Sequence, residues 1–233
     1  MKTIFILVAN IFITTHLFSQ QVREVSVGPL QDAQKVFKPN DRYRFQDFKE
    51  GYLITPAEKR SQALKLNFNL FSGLPQFIDK KGDTLFLDDE IARYVQMKET
   101  TYLNGFSKHY YEVILNAMPV RLAIQREWRL TRVETEFTDR SGAKAINISR
   151  DGKNQIYSPS LGRMVRNENK VYQRDSTYFF VDKNERIYKA NENNFTRLFS
   201  VHKKQIEGYL KKESIDFKKE EDLIKIFAFV SLL

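Results

Sequence analysis

Alternation of apolar and polar residues is the feature that most constrains the fold of this chain. In the stretch ALKLNFNLF, Leu64, Leu66, Phe68 and Leu70 fall on one side of an extended chain, whereas lysine and asparagine fall on the other. Successive side chains of a β-strand point to opposite faces, so the pattern predicts a strand with one buried face. The composition agrees, because 19 Phe and 11 Tyr stand beside only 9 Gly and 6 Pro, and aromatic residues favour strands.

Similar segments along the chain predict about eight strands in antiparallel hairpins. They lie at residues 52–55, 76–79, 84–87, 94–97, 110–115 and 120–130, with a further hairpin around residues 182–185. FIDK at residues 77–80 and FVDK at residues 180–183 lead into turns in the same way, which indicates either a weak internal repeat or shared turn chemistry. Residues 131–164 are polar and rich in Gly, Ser and Asn, and predict a long loop.

The last forty or so residues have a helical pattern. Asn193 or Asn194 can cap a first helix and Ser200 a second, while Leu223, Ile224, Phe227 and Val230 line one face of a third. The predicted fold class is therefore α+β: mainly antiparallel β-hairpins forming a sheet, sandwich or barrel-like body, with a short C-terminal helical segment. Residues 21–190 form the β-rich domain, and residues 191–233 form helices that pack on it.

Residues 1–20 have the layout of a secretory signal peptide. Lys2 precedes an apolar run at residues 4–13, and the small Ser19 stands where cleavage is expected. A membrane anchor is the alternative, but Asn10 and His16 interrupt the apolar character that about 20 spanning residues require. We therefore expect a cleaved leader and a periplasmic or secreted protein. The chain has no cysteine, which excludes a lipid-modified cysteine, disulfides and thiolate metal ligands.

The formal charge of +9 raises the question of a nucleic-acid partner. The basic residues are interspersed with acidic ones, as in KKESIDFKKEEDLIK, rather than gathered into one strip. This pattern indicates a solvated mixed-charge surface and disfavours nucleic acid, while an anionic membrane surface stays open as a partner.

A dense acidic stretch, LPQFIDKKGDTLFLDDE, contains the candidate binding residues Asp88, Asp89 and Glu90. A calcium loop that began at Asp79 would need an oxygen ligand at its third position and glycine at its sixth, but Lys81 is third and Gly82 is fourth. The stretch therefore predicts a hairpin turn followed by an acidic loop. Neither a metal nor a cofactor is predicted.

Few residues suit catalysis. There is no G-x-S-x-G motif, and His109 and His202 lack the companions that a metal or nucleophilic site requires. Trp128, the single tryptophan, is interpreted as a core or rim residue, or as a binding platform for carbohydrate or peptide if exposed.

Paired carboxylates supply the enzymatic alternative, a hydrolase acting on an envelope glycan or peptide. In that alternative Asp88, Asp89 or Glu90 would face Glu112 or Glu127 across a cleft.

Four segments together resemble a family of exported, functionally uncharacterised β-rich proteins from Bacteroidetes-type bacteria. They are YRFQDFKEGYL, ALKLNFNLFSGLPQFIDKKGDTLFLDD, YYEVI and RLFSVHKKQIEGYLKKESIDFKKEEDLIKIFAF. The resemblance implies export and a β-hairpin body with a helical tail, and it implies no activity. The sequence thus favours a non-catalytic binding or structural module of the cell envelope. Its expected partner is an envelope protein, a glycan or an anionic membrane surface, contacted through strand edges and exposed aromatic residues.

Overall fold

The computed structural model describes residues 23–88, 90–105, 109–117, 119–138, 144–150 and 165–233, so the leader lies outside the described residues. In this part of the chain twelve strands form one sheet. They are β1 (Glu24–Val27), β2 (Lys49–Ile54), β3 (Leu64–Asn69), β4 (Leu74–Ile78), β5 (Thr84–Phe86), β6 (Tyr94–Met97), β7 (Thr100–Asn104), β8 (Tyr110–Ala117), β9 (Val120–Thr138), β10 (Lys144–Arg150), β11 (Val165–Val181) and β12 (Ile187–Lys189).

All pairs of neighbouring strands are antiparallel, in the order β1-β11-β9-β8-β7-β6-β2-β3-β4-β5. β10 pairs with the far half of β9, and β12 pairs with the last residues of β11. The ends of this order do not meet, so the sheet is open. The predicted α+β class with a mainly antiparallel sheet is confirmed, and within that class the body is an open sheet.

Most predicted strands are present, and β6 has the predicted bounds. The prediction of a loop over residues 131–164 was wrong in two places. β9 continues without interruption to Thr138, and Lys144–Arg150 forms β10. The rest of that stretch up to residue 164 lies outside the described residues. β7 was not predicted at all.

Five α-helices and one short 3-10 helix (Ser200–His202) accompany the sheet in the described part of the chain. The α-helices are α1 (Ala33–Val36), α2 (Pro39–Arg42), α3 (Glu192–Leu198), α4 (Lys203–Glu213) and α5 (Glu220–Val230). The cap of α3 is Asn191, whose side chain accepts the N–H of Asn194, so the predicted caps were two or three residues late. Leu223 and Phe227 of α5 are buried as predicted, but Ile224 is 47% exposed. None of these helices combines the length and apolarity that crossing a bilayer requires.

Two apolar clusters pack against the sheet. The first joins Leu66, Phe68 and Met97 from the strands with Phe37, which lies between α1 and α2. The second joins Leu122 and Phe180 with residues of the C-terminal helices, namely Phe195, Ile206, Leu210, Leu223, Ile226 and Phe227. Because the helices cover β9 and β11 near one end, the middle of the same sheet face is left to polar residues.

Candidate functional site

The acidic stretch after β5 forms an exposed turn. Asp88 and Glu90 are both exposed, and the Asp88 side chain accepts the backbone N–H of Glu90 at 3.3 Å. Asp89 lies outside the described residues. Among the residues that are described, no three carboxylate or imidazole groups converge in a way that could hold a metal ion. The structure therefore places Asp88 and Glu90 on an exposed turn.

Trp128 lies in the core. Its side chain is buried, its Nε1–H donates to the backbone carbonyl of Asp41 at 2.8 Å, and its ring packs edge-on against Phe37 with ring centroids 4.8 Å apart. The ring face that a ligand would need is therefore covered. His109 is exposed beside Gln125, and His202 contacts Gln205 within its own helical turn.

Glu112 lies at the centre of a buried ion network that sequence reasoning did not predict. Arg44 donates two hydrogen bonds to its carboxylate, both at 3.0 Å, and Arg126 approaches it to 2.5 Å. The hydroxyl of Tyr102, directly opposite on β7, donates to it at 3.3 Å. Burial raises the pKa of Glu112, but the Arg44 hydrogen bonds and the Arg126 charge outweigh burial and hold that pKa below its ordinary value.

This network makes Glu112 a poor general acid, because its carboxylate keeps its negative charge at neutral pH and is held by three partners. Glu112 lies opposite Ile124 of β9, and directly opposed residues point to the same face. Glu127 is three residues from Ile124 and thus points to the other face, where it contacts Gln125 and Arg129. Glu112 and Glu127, the two alternative partners named for the acidic stretch in the hydrolase hypothesis, therefore lie on opposite faces of the sheet.

Among the described residues, which begin at residue 23, the outer edge of β11 has a gap in its strand pairing. β1 pairs with β11 only as far as Gln173, and β12 begins to pair at Phe179. At one end of the gap, the backbone N–H of Arg174 donates to the backbone carbonyl of Arg23 at 3.3 Å. At the other end, the backbone carbonyl of Tyr178 accepts the N–H of Ala190 at 2.8 Å. Backbone groups of alternate residues face the same edge of a strand, so those of Ser176 face this gap.

Ser176 offers hydrogen-bonding capacity at the gap. Within the described residues its N–H is bonded only locally, to the side chain of the preceding Asp175 at 2.8 Å. In the described part of the chain its carbonyl has no backbone partner on that side. The Ser176 side chain is exposed. An incoming strand can therefore replace the local bond and pair with both groups.

Two adjoining cavities run along this gap. One, of about 870 Å³, lies between residues 175–178 of β11, residues 189–192 at the start of α3 and residues 215–218 before α5. The other, of about 510 Å³, extends past Arg174 to residues 218–221 and Ile224. They share Asp175, Ser176, Tyr178 and Lys218, so they form one channel. We call it the edge groove, with residues 174–178 as its floor and residues 215–221 as its wall.

The edge groove is connected to the buried network. Arg126 lies opposite Ser176 on β9, and besides Glu112 it approaches Glu220 of the groove wall at 3.9 Å. Tyr178 donates its hydroxyl to the same Glu220 at 3.3 Å. Desolvation and the Glu220 charge raise the pKa of Tyr178 to about 12, so it stays a neutral donor. The floor and the wall are thus fixed to each other through one glutamate.

Sequence reasoning missed the edge groove because no local pattern encodes it. The gap arises from where β1 begins, at Glu24, and where β12 ends, at Lys189, which depends on pairing between distant segments. The chain matches no protein-family model, and comparisons with curated proteins and with solved structures gave no match.

Proposed function

We propose that this protein is exported to the cell envelope and acts there as a non-catalytic binding module, which receives an extended segment of another envelope protein on the edge of β11. The signal-like pattern of residues 1–20 supports the export. The observation that supports the binding mode is the gap at residues 174–178, inside a groove, where among the described residues no strand pairs with the backbone groups of Ser176.

Strand addition to an exposed sheet edge is a recurring mode of peptide recognition, in which main-chain hydrogen bonds supply affinity. Most sheet edges are protected by short strands, charges or coverage. Here β1 and β12 cover β11 on both sides of the gap, and the gap is long enough for a strand of about three residues, at about 3.3 Å per residue. Because β1 and β12 occupy the edge on both sides, an added strand can pair with β11 only along this short stretch.

A backbone-directed substitution tests this binding mode. Ser176→Pro removes the N–H that faces the gap but leaves pairing with β9, which uses the groups on the opposite side of the strand. Ser176→Ala is the matched control, because it removes only the hydroxyl. Seven-residue peptides selected from a random phage-displayed library against the wild-type protein should bind the Ser176→Ala variant as well, and the Ser176→Pro variant at least about tenfold more weakly.

Two readouts complete this test. Circular dichroism must show that the Ser176→Pro variant is folded, and amide chemical shifts must place the bound peptide at Ser176 and Tyr178. Equal binding to the proline and alanine variants would overturn strand addition at this edge. Export, the other part of the proposal, is tested separately by N-terminal sequencing of the protein recovered from cell fractions. Finding the protein in the cytosol with its leader intact would contradict export.

A further inference from the structure

We infer that the segment received on β11 carries an acidic side chain, which Arg174, Lys218 and Lys219 bind in the edge groove. This inference rests on the proposed function, because it specifies the chemistry of the segment that the edge receives.

The charged residues of the groove divide into those with a partner and those without. Asp175 pairs with Arg129 at 2.8 Å, and Glu220 contacts Tyr178 and Arg126. By contrast, Arg174, Lys218 and Lys219 form no ion pair in the described part of the chain. Glu221 also lines the groove without an ion pair there. In the part of the groove next to Arg174, these three positive charges stand against the one negative charge of Glu221. Farther along, Lys189 lines the groove together with Glu192 and Asp216, so the surplus of positive charge that favours an anionic group lies near Arg174.

Arg174 is the best placed of the three cations. It stands at one end of the gap, two residues from Ser176, so both side chains point to the same face of the strand. Desolvation lowers the pKa of Arg174, and the like charges of Arg44, Arg126 and Arg23 lower it further. A carboxylate from outside would relieve this repulsion, which makes the position receptive to negative charge.

The register of an added strand predicts where the acidic side chain lies. An antiparallel strand that bonds to the N–H and carbonyl of Ser176 places one residue directly opposite Ser176. The two Cβ atoms are then about 5 Å apart and on the same face. That face is bounded by Arg174 and Tyr178 and closed by Lys218 and Lys219 of the wall. An acidic residue opposite Ser176 therefore points at the unpaired cations.

The test uses three fluorescent seven-residue peptides of alternating threonine and valine that differ only in the central residue, which is glutamate, glutamine or lysine. Anisotropy gives their affinities for the processed protein, and the amide shifts of Ser176 and Tyr178 give the location. We expect the glutamate peptide to bind about fivefold more tightly than the glutamine peptide, with lysine weakest. The preference should shrink in about 0.5 M salt, because salt screens exposed charges.

Charge-removing variants locate the preference. Arg174→Gln combined with Lys218→Gln and Lys219→Gln should equalise the glutamate and glutamine peptides. The matched control removes the same charge elsewhere, with Lys203→Gln, Lys204→Gln and Lys211→Gln on α4, outside the groove, and should keep the preference. A preference that survives in the groove variant would overturn the inference.

The remaining outcomes separate the inference from the proposed function. If glutamate and glutamine peptides bind equally and both are lost in Ser176→Pro, the acidic specificity is overturned and strand addition stands. If no peptide binds, both fail. If the Ser176 amide of the processed protein is already protected from exchange with solvent deuterium, the edge is filled by the chain itself or by a second copy, and the inference is overturned.

Discussion

Asp79 and Asp182 hold the same position in two separate hairpin turns, where each side chain accepts the backbone N–H groups two and four residues later, at 2.8 and 2.9 Å in both turns. The residue three places after each aspartate has a positive φ, 92° at Gly82 and 61° at Glu185. Shared turn chemistry therefore accounts for the likeness of FIDK and FVDK in the sequence.

Glu185 is in a backbone conformation that favours glycine, and it also pairs with Arg93 at 2.8 Å and Arg121 at 3.6 Å. Glu185→Ala and Glu185→Gly lose these pairs equally, but only glycine relieves the positive φ. The glycine variant should therefore exceed the alanine variant in free energy of unfolding by about 1 kcal/mol. Urea denaturation measures this difference, and equal stabilities would show that the turn is unstrained.

The Glu112 network should dominate the acid sensitivity of the fold. Glu112→Gln leaves the guanidinium groups of Arg44 and Arg126 without their buried counter-charge, which should lower the free energy of unfolding at pH 7 by about 3 kcal/mol. Glu127→Gln is the control, since its contacts with Gln125 and Arg129 are partly exposed and should contribute below about 1 kcal/mol.

The difference between wild type and Glu112→Gln should also depend on pH. The folded-state pKa of Glu112 is below its ordinary value of 4.5. The unfolded chain therefore takes up the proton first, and the stabilisation is complete above about pH 4.5 and is lost as pH falls through the lower folded value. Urea denaturation between pH 7 and pH 3 should show that the difference in free energy of unfolding between the two proteins becomes smaller. A difference in free energy of unfolding that stays constant over this pH range would contradict the lowered pKa of Glu112.

The cap of α3 can be identified by substitution. Asn191→Ala should destabilise the protein by about 1 kcal/mol, because the Asn194 N–H loses its acceptor. Asn193→Ala should have almost no effect, since among the described residues only the backbone carbonyl of Asn193, and not its side chain, takes part in a hydrogen bond. Thermal unfolding of the two variants compares them directly, and the reverse order would restore the cap predicted from the sequence.

Trp128 should behave as a core residue. Trp128→Phe removes the donor to the Asp41 carbonyl, which should lower the free energy of unfolding by about 2 kcal/mol. Far-UV circular dichroism can follow this unfolding without the fluorophore. In the wild-type protein, added oligosaccharides should leave tryptophan emission unchanged. A variant of unaltered stability that loses glycan binding would instead place Trp128 at a ligand surface.

Strands with one apolar face were predictable, as β3 and β6 show, because burial leaves a period of two in the sequence. The far half of β9 was not predictable in this way. In TRVETEFT the face that carries Val133 and Phe137 also carries two threonines, so the apolar contrast with the charged face is weak, although threonine, valine and phenylalanine suit a strand. This half of β9 is held in a strand conformation by its antiparallel pairing with β10 and β11.

The candidate site could be predicted even less than the strands, because it forms by contacts between distant segments of the chain. Glu112 could be named as one carboxylate among many, but its partner Arg44 precedes it by 68 residues in the chain. The exposure of Ser176 follows from the ends of β1 and β12, which no window of sequence around Ser176 contains. Local patterns predict elements, whereas edges and ion networks follow from how those elements are assembled.

The floor of the edge groove at residues 174–178 and its wall at residues 215–221 both belong to the C-terminal part of the chain. During synthesis, the floor is therefore complete before the wall, and the edge groove exists only once both segments have been made.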